Sequence, residues 1–570
     1  MNFSDIQIYI IIKLILIAFA VVSIFLIYKK SKPIYFLMLA GIASAVSYAF
    51  FVNDMGLMFW GLQGDELTIA AMYNTFAKIG FGSDFAFHKL APFYPPLFFW
   101  FFALIGKIMN WNGIITAKVA SFSFLLTFPL LLYFLQKIFL KDFLKNQEKS
   151  FGKILFWLSP ILIITILDKD LLIGKPYEII TGAATVFWFC GLVLIAQNKK
   201  ITTKSILLYG ITGGLIFMTY YLWIIFAAIA LFVYGIIEKK KIFLTYFFNL
   251  FKIGLVTITV SLPFILPLLL NYLKNGIENW QTAFFMPNGL DLWLPMFKSI
   301  SITNLILFGG FITLIYFKNN PFIKSLLYLF ITAFVWWGIG MFCLLVFEKP
   351  LQEFRGFYIF APTILTVATG FGIEKLWHRF NINENKNFYY TLTITGLLIF
   401  ISYSFFGFFI DDPLIKNRLI ESKTIQKEIS NLIKFLEKEP DSSSVLTLQT
   451  APQIMAFTPI NNLIYFNQHN NHPGSIFSKR HTYVTSLSNS KTGEEFYEKI
   501  KNCPYGKLEQ FILYGDEKNY YLFFHLNKII DGIKEEIITI NKKLFLPEYF
   551  EIKYNNNNYT VLRLKSNLSK

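Results

Sequence analysis

The stretch DMGLMFWGLQGDELTIAAMYNTFAKIGFGSDFAFHKLAPFYPPLFFW covers residues 54–100 and interrupts a series of strongly apolar segments. It carries two adjacent acids, Asp65 and Glu66, and ends in the block Phe93-Tyr94-Pro95-Pro96 followed by more aromatic residues. Between them, Ile69, Tyr73, Phe76 and Ile79 recur at helical spacing, which predicts an amphipathic helix. Because acids and prolines concentrate here between apolar segments, the stretch is predicted to be a large loop outside the membrane.

The composition is that of a polytopic membrane protein. The chain has 570 residues, of which 55% are hydrophobic and 15% charged, and its mean hydropathy is +0.51. A bilayer span needs about 20 apolar residues, and residues 1–410 contain many such runs. This part is therefore predicted to be a helical transmembrane domain with an external loop at 54–113. Residues 411–570 are more polar and are predicted to form a separate soluble domain.

Twelve spans are predicted, near 8–28, 34–53, 114–136, 154–167, 178–197, 205–220, 222–237, 250–270, 298–316, 325–347, 357–376 and 389–410. The basic clusters of the connecting segments then all fall on one side, which the positive-inside rule assigns to the cytoplasm, and both termini face outside. Residues 93–109 are not counted, because this short, proline-flanked run would break the alternation. They are predicted to form an interfacial helix on the outer surface, with a thirteenth span as the alternative.

The net charge of +17 is explained by lysines in the predicted cytoplasmic loops, so nucleic acid is not expected as a partner. The three cysteines form no CxxC motif, and Cys190 and Cys343 lie inside apolar spans, so no disulfide framework is indicated. The first apolar run lacks a cleavage site and is predicted to be a retained helix. The expected location is a bacterial cytoplasmic (inner) membrane, with the 54–113 loop and the C-terminal domain on the outer side.

The C-terminal part alternates strand-like and helical stretches, which favours a small α/β domain. The predicted strands are 445–448, 463–466, 511–514, 520–525 and 559–562, and the predicted helices lie near 422–438, 493–502 and 526–540. The run from Asn555 to Asn558 predicts a hairpin turn.

The acids of the loop would suit the transfer of a sugar from a polyprenyl phosphate to a hydroxyl group. Phosphate is already a good leaving group, so the reaction needs one base for the attacking hydroxyl and cations to hold the phosphate. Asp65 is the candidate base. Glu66 is a candidate for positioning the acceptor or binding a divalent metal, and no cofactor is otherwise indicated. The alternative, that Asp65 only caps a helix, does not explain why Asp54 and Asp84 crowd into the same loop.

Three residues are candidates for holding the donor phosphate. Arg355 is the only arginine of the predicted outer segments before the C-terminal domain, and its planar guanidinium matches phosphate geometry. Lys175 and Tyr177 lie in the Gly-Lys-Pro-Tyr-Glu sequence at 174–178. The alternative for all three is anchoring at the membrane interface.

Two histidines, His469 and His472, fall in one loop after a predicted strand. A metal site would need a third ligand such as His481, and the spacing does not establish one. Hydrogen bonding to a sugar or ordinary loop polarity is favoured, so no metal site is assigned. No Walker, GxSxG, HExxH or dinucleotide-binding motif stands out.

These stretches resemble the GT-C superfamily of membrane glycosyltransferases, and within it the galactan 5-O-arabinofuranosyltransferase (AftA-type) family. The acids after Gly64 and the block Phe93-Tyr94-Pro95-Pro96-Leu97-Phe98-Phe99-Trp100 are similar to the acidic loop and the FYPPxxFW block of that family, which adds Tyr94 to the candidate site. The segment 175–178 is similar to its Pro-Tyr-Glu element, which adds Glu178. Residues 467–480, from Asn467 to Arg480 with both histidines, resemble its C-terminal NxHxxHP…FxxR stretch.

The resemblance implies an inverting transfer of arabinofuranose from decaprenylphosphoryl-arabinose to cell-wall galactan, with Asp65 and Glu66 as the acidic pair. The implied partners are a polyprenyl-phosphate sugar donor, a glycan acceptor and the lipid bilayer. One alternative is a GT-C enzyme that transfers another sugar to lipid A or to protein. A transporter or lipid-linked glycan flippase is the alternative from another class, and it is disfavoured because no internal repeat is evident and the acids outside the spans cluster in external loops.

Overall fold

A computed structural model of the protein describes residues 5–29, 32–58, 61–62, 64–144, 155–167, 173–278, 294–297, 300–349, 351–352, 354–379, 420–439, 441–528, 532–556 and 558–565. The chain has a helical part followed by a part built on a β-sheet. The predicted boundary between them, at residue 410, lies outside the described residues.

The helical part contains α1 (Asp5–Tyr28), α2 (Pro33–Phe51), α3 (Gly64–Lys78), α4 (Leu97–Ile108), α5 (Gly113–Phe139), α6 (Lys141–Leu144), α7 (Leu155–Ile166), α8 (Pro176–Ile195), α9 (Thr203–Thr219), α10 (Leu222–Glu238), α11 (Phe243–Asn275), α12 (Ile302–Tyr316), α13 (Pro321–Phe347) and α14 (Ala361–Arg379). A π-helical turn, Gly356–Phe360, leads into α14. Helices occur at the first eleven predicted spans, and the twelfth, 389–410, lies outside the described residues.

Seven helical segments of the described residues are long and apolar enough to cross a membrane, by length and composition. They are Ile6–Leu26, Ile34–Phe51, Gly113–Phe139, Pro176–Ile195, Lys240–Asn275, Pro321–Phe347 and Gly356–Arg379. Their ends follow local sequence signals. Asn112 caps α5 by accepting a hydrogen bond from the Ile115 N–H, and Asn320 caps α13, which has Pro321 at its first position. The prediction of a polytopic helical membrane protein is confirmed.

Helix α4 falls in the run that was predicted to be interfacial. It has 12 residues, which span about 18 Å and are too few to cross the roughly 30 Å hydrocarbon core. One face is buried, with Phe99 and Phe102, while Phe101 and Ile108 are exposed. The helix thus has one face packed on the protein and one apolar face outward. This matches an interfacial position, which stays a prediction.

Helix α3, which carries Asp65, has no face open to solvent between Leu67 and Ala77. Every residue from Leu67 to Ala77 is buried, because α3 packs on α4 and α5 and also on the C-terminal part. Asn74 donates to the Met455 carbonyl at 3.0 Å, and Lys78 donates to the Phe457 carbonyl at 2.6 Å. The prediction of an amphipathic surface helix was wrong, since its polar face is covered by a segment almost 400 residues away in the chain.

In the described residues, the C-terminal part contains a seven-stranded sheet packed with helices. Its strands are β1 (Leu446–Gln449), β2 (Asn461–Asn462), β3 (Leu508–Gly515), β4 (Asn519–Lys528), β5 (Gly532–Asn541), β6 (Phe550–Asn555) and β7 (Tyr559–Leu564), and its helices are α15 (Lys427–Leu436), α16 (Phe477–Ser488) and α17 (Gly493–Lys501). The order is β2-β1-β3-β4-β5, with β7 also paired to β3 and β6 paired to β7. Strand β1 is parallel to β2 and β3, and the other pairs are antiparallel.

The α/β character of this part and the hairpin turn between β6 and β7 are confirmed; the side chain of Asn556 accepts the N–H groups of residues 558 and 559. Two local predictions were wrong. The segment 526–540 is not a helix, because β5 pairs along its whole length with β4 and its β-branched residues alternate between buried and exposed. The segment 463–466 is not a strand of the sheet, since β2 ends at Asn462. Helix α16 was not predicted.

Two hydrophobic cores are relevant to function. One lies within the helix bundle. The other joins the 54–113 loop to the C-terminal part, with Leu67 and Phe99 on one side and Leu432 and Ile454 on the other. The loop is therefore packed between the bundle and the sheet, and any cavity along it is lined by both parts of the chain.

Candidate functional site

Asp65 lies in the first turn of α3, where the helix dipole favours a negative charge. Its carboxylate is held by side chains from distant segments. The Lys175 ammonium lies 2.5 Å from Oδ2, and the Asn470 amide donates to Oδ1 at 3.1 Å. The same Asn470 nitrogen also donates to the Thr68 hydroxyl at 3.0 Å. These contacts argue against a role limited to helix capping.

A second ion pair lies close to the first. Glu178 falls in the first turn of α8, which starts at Pro176 directly after Lys175. Its Oε2 is 3.2 Å from Nη1 of Arg355, and Nε of Arg355 donates to the side chain of Gln352 at 2.9 Å. The backbone of Gln352 is left-handed, with φ of 57°, which is uncommon for a residue other than glycine. Its carbonyl accepts the Trp336 indole N–H at 3.3 Å.

These side chains border one cavity of about 330 Å³. It is lined by Asp65, Phe93, Tyr94, Pro95, Lys175, Tyr177, Glu178, Tyr220, Tyr221, Leu222, Ile225, Trp336, Leu351, Gln352, Arg355 and His469. Seven of the nine residues singled out from the sequence are in this set. They come from the loop, the start of α8, the segment before α14 and the C-terminal part, so the fold brings together residues that are far apart in the chain.

The charges of the cavity alternate along Asp65, Lys175, Glu178 and Arg355. Their side chains are 34%, 18%, 3% and 12% exposed, so Asp65 is the most accessible of the four. Glu178 is the least accessible, and its charge is compensated by the Arg355 guanidinium. A buried carboxylate that lost this partner would be costly, by about 3–5 kcal/mol.

The pKa values of the first pair favour the charged forms. Burial by itself would raise the pKa of Asp65, but the Lys175 ammonium, His469 and the Asn470 amide outweigh burial and hold it well below its usual range. Burial opposes the charge on Lys175 as well, but the carboxylates of Asp65 and Glu178 raise its pKa above the usual value. Asp65 is therefore ionised at neutral pH and able to accept a proton.

Arg355 carries the second positive charge of the cavity. Burial opposes this charge. The Tyr220, Glu178 and Asp65 side chains outweigh burial and raise the pKa of the guanidinium above its ordinary value. Two fixed cations are thus available to an anionic group in this cavity.

The two histidines differ in position. His469 lines the cavity, and burial lowers its pKa to about 4, so the imidazole is neutral at pH 7. His472 does not line it. The Nε2 of His472 is 2.9 Å from the Ala91 carbonyl, and its Nδ1 accepts the Gly474 N–H at 2.9 Å. The Nε2 of His472 therefore connects the C-terminal part to the loop, and its Nδ1 holds the turn at Gly474 within the C-terminal part.

Glu66 does not line the cavity either. Its side chain lies against the segment before Lys175, so that a Cβ on Gly174 would come 3.6 Å from Oε1 of Glu66. Among the residues that the structure describes, no three His, Cys, Asp or Glu side chains are grouped closely enough to hold a metal ion. His481, considered as a third ligand, is directed to Glu536, with 3.4 Å between Nε2 and Oε1.

Several residues of the site were not found from the sequence. Asn470 lies in the quoted histidine stretch, where only the two histidines were candidate residues. Tyr220 and Tyr221 form the short connection between α9 and α10, and two adjacent tyrosines between apolar spans were an available signal. Trp336 lies inside α13, where an aromatic residue of a span carries no signal of function by itself.

Comparison with known proteins finds one matching family and several solved structures with a similar fold. Residues 172–396 match the family described as arabinofuranosyltransferase N-terminal, a range that contains Lys175, Glu178 and Arg355. No curated protein sequence matches the chain.

Two solved structures illustrate the fold. The chain is similar to ArnT from Cupriavidus metallidurans bound to undecaprenyl phosphate, with a TM-score of 0.51 and 11% identity over 92% of this chain and 97% of that one. It also matches the archaeal oligosaccharyltransferase AglB from Archaeoglobus fulgidus, in complex with an inhibitory peptide and a dolichol-phosphate, with a TM-score of 0.44 and 11% identity over 90% and 77% of the two chains. The likeness to ArnT shows the fold of this chain. The chain is thus similar to an arabinofuranosyltransferase family over residues 172–396 and similar in fold to ArnT.

Proposed function

We propose that the chain transfers a sugar, arabinofuranose by its family resemblance, from a polyprenyl-phosphate donor to a hydroxyl of a cell-wall or surface glycan, with inversion. The observation that carries the proposal is the shared cavity. Asp65, Lys175, Arg355 and His469 come from four distant parts of the chain and line one space of about 330 Å³. A base and two cations are the groups that this reaction needs.

In the proposed reaction, an acceptor oxygen attacks the anomeric carbon from the side opposite the phosphate. The new bond joins that carbon to the acceptor oxygen, and the bond from the carbon to the phosphate oxygen breaks with its electron pair left on the phosphate. The acceptor proton passes to a carboxylate oxygen of Asp65. Since the phosphate gains negative charge as it leaves, Lys175 and Arg355 stabilise the transition state more than the bound donor.

Lys175 has a double role in this proposal. In the free protein its ammonium is bonded to Asp65 at 2.5 Å, which makes the carboxylate a weak base. A donor phosphate next to Arg355 would compete for the same ammonium. The basicity of Asp65 would then rise only when the donor is in place. In the empty site, the ion pair with Lys175 keeps Asp65 from taking up a proton from water.

The other cavity residues suit the remaining parts of the donor. Leu222, Ile225 and Leu351 give an apolar wall for the first units of the prenyl chain, and ArnT, which has a similar fold, holds undecaprenyl phosphate. Tyr94 and His469 can hydrogen-bond sugar hydroxyls.

The two parts of the chain have different roles in the proposed reaction. We infer that residues 1–410 bind the donor and that residues 411–570 contribute His469 and a surface for the acceptor. The predicted topology puts this site on the outer face of a bacterial cytoplasmic membrane, which is where the glycan would be.

A transfer assay in nanodiscs tests the proposal. Wild type, Asp65→Asn and Asp54→Asn are offered a panel of radiolabelled polyprenyl-phosphate sugars, including the arabinofuranose donor, with galactan oligomers as acceptor. Asp54 lies in the same loop but does not line the cavity, so its variant is the matched control. We expect arabinose transfer by wild type and Asp54→Asn, and none by Asp65→Asn. Equal activity of all three would exclude Asp65 as the base, and transfer of another sugar only would overturn the arabinose assignment.

A further inference from the structure

A second cavity, of about 200 Å³, lies between the 54–113 loop and the C-terminal part. It is lined by Phe87, Lys89, Leu90, Ser444, Val445, Leu446, Asn461, Asn462, Arg480, Tyr505, Lys507 and Glu509. None of these residues lines the first cavity. Arg480, the last residue of the quoted histidine stretch, has no role in the transfer proposed above.

Arg480 brings a positive charge into this cavity without a carboxylate to balance it. Its Nε donates to the Ser475 carbonyl at 2.7 Å and its Nη1 to the Leu463 carbonyl at 2.5 Å. The guanidinium lies between two rings, 4.9 Å from the centre of Phe87 and 4.3 Å from that of Tyr505. In the described parts of the chain no carboxylate is paired with it, and burial lowers its pKa to about 10. A half-buried cation whose bonded partners are neutral favours an incoming anion.

The rim of the cavity adds to this charge. Lys89 and Lys507 are exposed, and Lys507 is paired with Glu509, with 2.5 Å between Nζ and Oε1. Three cations and one carboxylate leave the cavity with an excess of two positive charges. The exposed lysines keep it open to water, so a soluble ligand can reach it.

The neutral wall suits a sugar. Asn461 and Ser444 carry amide and hydroxyl groups, which can hydrogen-bond sugar hydroxyls. The volume corresponds to roughly seven water molecules at about 30 Å³ each, which is more than a lone phosphate needs.

The two cavities are connected by shared segments. In the loop, Phe93 lines the first cavity and Phe87 the second; in the C-terminal part, His469 lines the first and Arg480 the second. A polymer that presents one sugar to Asp65 and follows these two segments would reach the second cavity.

We propose that the second cavity binds an anionic sugar residue, carrying a phosphate or a carboxylate, of an extended glycan acceptor. Only the identification of the ligand as acceptor rests on the proposed transfer. Binding of the anionic sugar itself does not, because none of the residues that take part in the chemistry lines this cavity.

Equilibrium dialysis with the purified full chain in detergent tests this inference. The probes are radiolabelled glucose 6-phosphate, glucose and inorganic phosphate. The test variant is Lys89→Gln/Lys507→Gln, since both lysines are exposed and their replacement leaves the carbonyl contacts of Arg480 intact. Lys543→Gln, an exposed lysine of the same part of the chain, is the matched control, and Lys175→Gln removes a cation from the first cavity.

We expect the double variant to bind glucose 6-phosphate about tenfold more weakly than wild type and Lys543→Gln, and Lys175→Gln to retain the binding that the double variant loses. Glucose and inorganic phosphate should each bind more weakly than glucose 6-phosphate. Unchanged binding by the double variant, or loss of binding in Lys175→Gln instead, would overturn the inference. Equal binding of inorganic phosphate would refute the sugar part. Failure of the proposed transfer would show in the nanodisc assay and would leave these binding results unaffected.

Discussion

Replacing Lys175 by Gln should change the pH dependence of transfer through Asp65. Lys175 is bonded to the Asp65 carboxylate at 2.5 Å, and an opposite charge at this range lowers the pKa of an acid by about 1–3 units. Burial acts in the other direction. When the ammonium is removed, burial remains, so the pKa of Asp65 should rise by about 1–3 units, which corresponds to roughly 1.4 kcal/mol per unit.

The rate follows the ionised fraction of Asp65, because only the carboxylate can accept the acceptor proton. Asp65 is fully ionised from pH 5 to 8 in wild type. In Lys175→Gln, an acid limb should appear with its midpoint above 3.8, the ordinary value. If the midpoint reaches about 6, kcat/KM at pH 5 falls to about one tenth of kcat/KM at pH 8.

The measurement is kcat/KM for the donor between pH 5 and 8, which reports the protonation of the free protein, for wild type, Lys175→Gln and Lys274→Gln. The weaker donor binding that loss of a phosphate ligand also causes lowers kcat/KM by the same factor at every pH, so the shape of the profile isolates the effect on Asp65. Lys274 is an exposed lysine that does not line the cavity, and its variant should follow wild type. A Lys175→Gln profile with the wild-type shape, merely lowered, would refute the reasoning that Lys175 sets the protonation of the base.

Three further predictions concern other contacts. Arg355→Gln should weaken donor binding by about tenfold or more in a binding assay. It should also lower the melting temperature, because Glu178 is left buried without its partner. Adding Glu178→Gln should restore the melting temperature but not the affinity for the donor. Asn470→Ala frees one oxygen of Asp65 and should lower kcat about tenfold, with the donor KM unchanged; a shift confined to KM would contradict this positioning role. Asp84 is buried, and burial raises its pKa to about 7. The hydrogen bonds that its carboxylate accepts from the Ala86 and Phe87 N–H groups lower the pKa, but burial outweighs them. The folded state therefore binds its proton more tightly than the unfolded state and loses stability as the pH rises from about 4 through 7. In thermal unfolding, Asp84→Asn should be more stable than wild type at pH 8, by on the order of 4 kcal/mol, with an advantage that shrinks towards pH 4; a constant difference at all pH values would contradict the raised pKa.

The sequence by itself determined the helices of the membrane part. Runs of about 20 apolar residues can satisfy their backbone in a bilayer only as helices, so local composition was sufficient for α1, α5 or α13. It also singled out Asp65 and Arg355, because charged residues between such runs are conspicuous. The aromatic and β-branched residues at the start of β7 and the asparagine turn before it are likewise local signals.

Only the tertiary structure decided how these residues pair. Nothing in the sequence relates Lys175 to Asp65 or Arg355 to Glu178, since these contacts join segments more than 100 residues apart. The same holds for α3, whose polar face is covered by the C-terminal part, and for β5, whose charged residues resemble a helix until its partner strand is known. Apolar periodicity indicates which residues avoid water, but it does not indicate which segment covers them. Packing between distant segments decides that, and it therefore also decides which charged groups meet in the site.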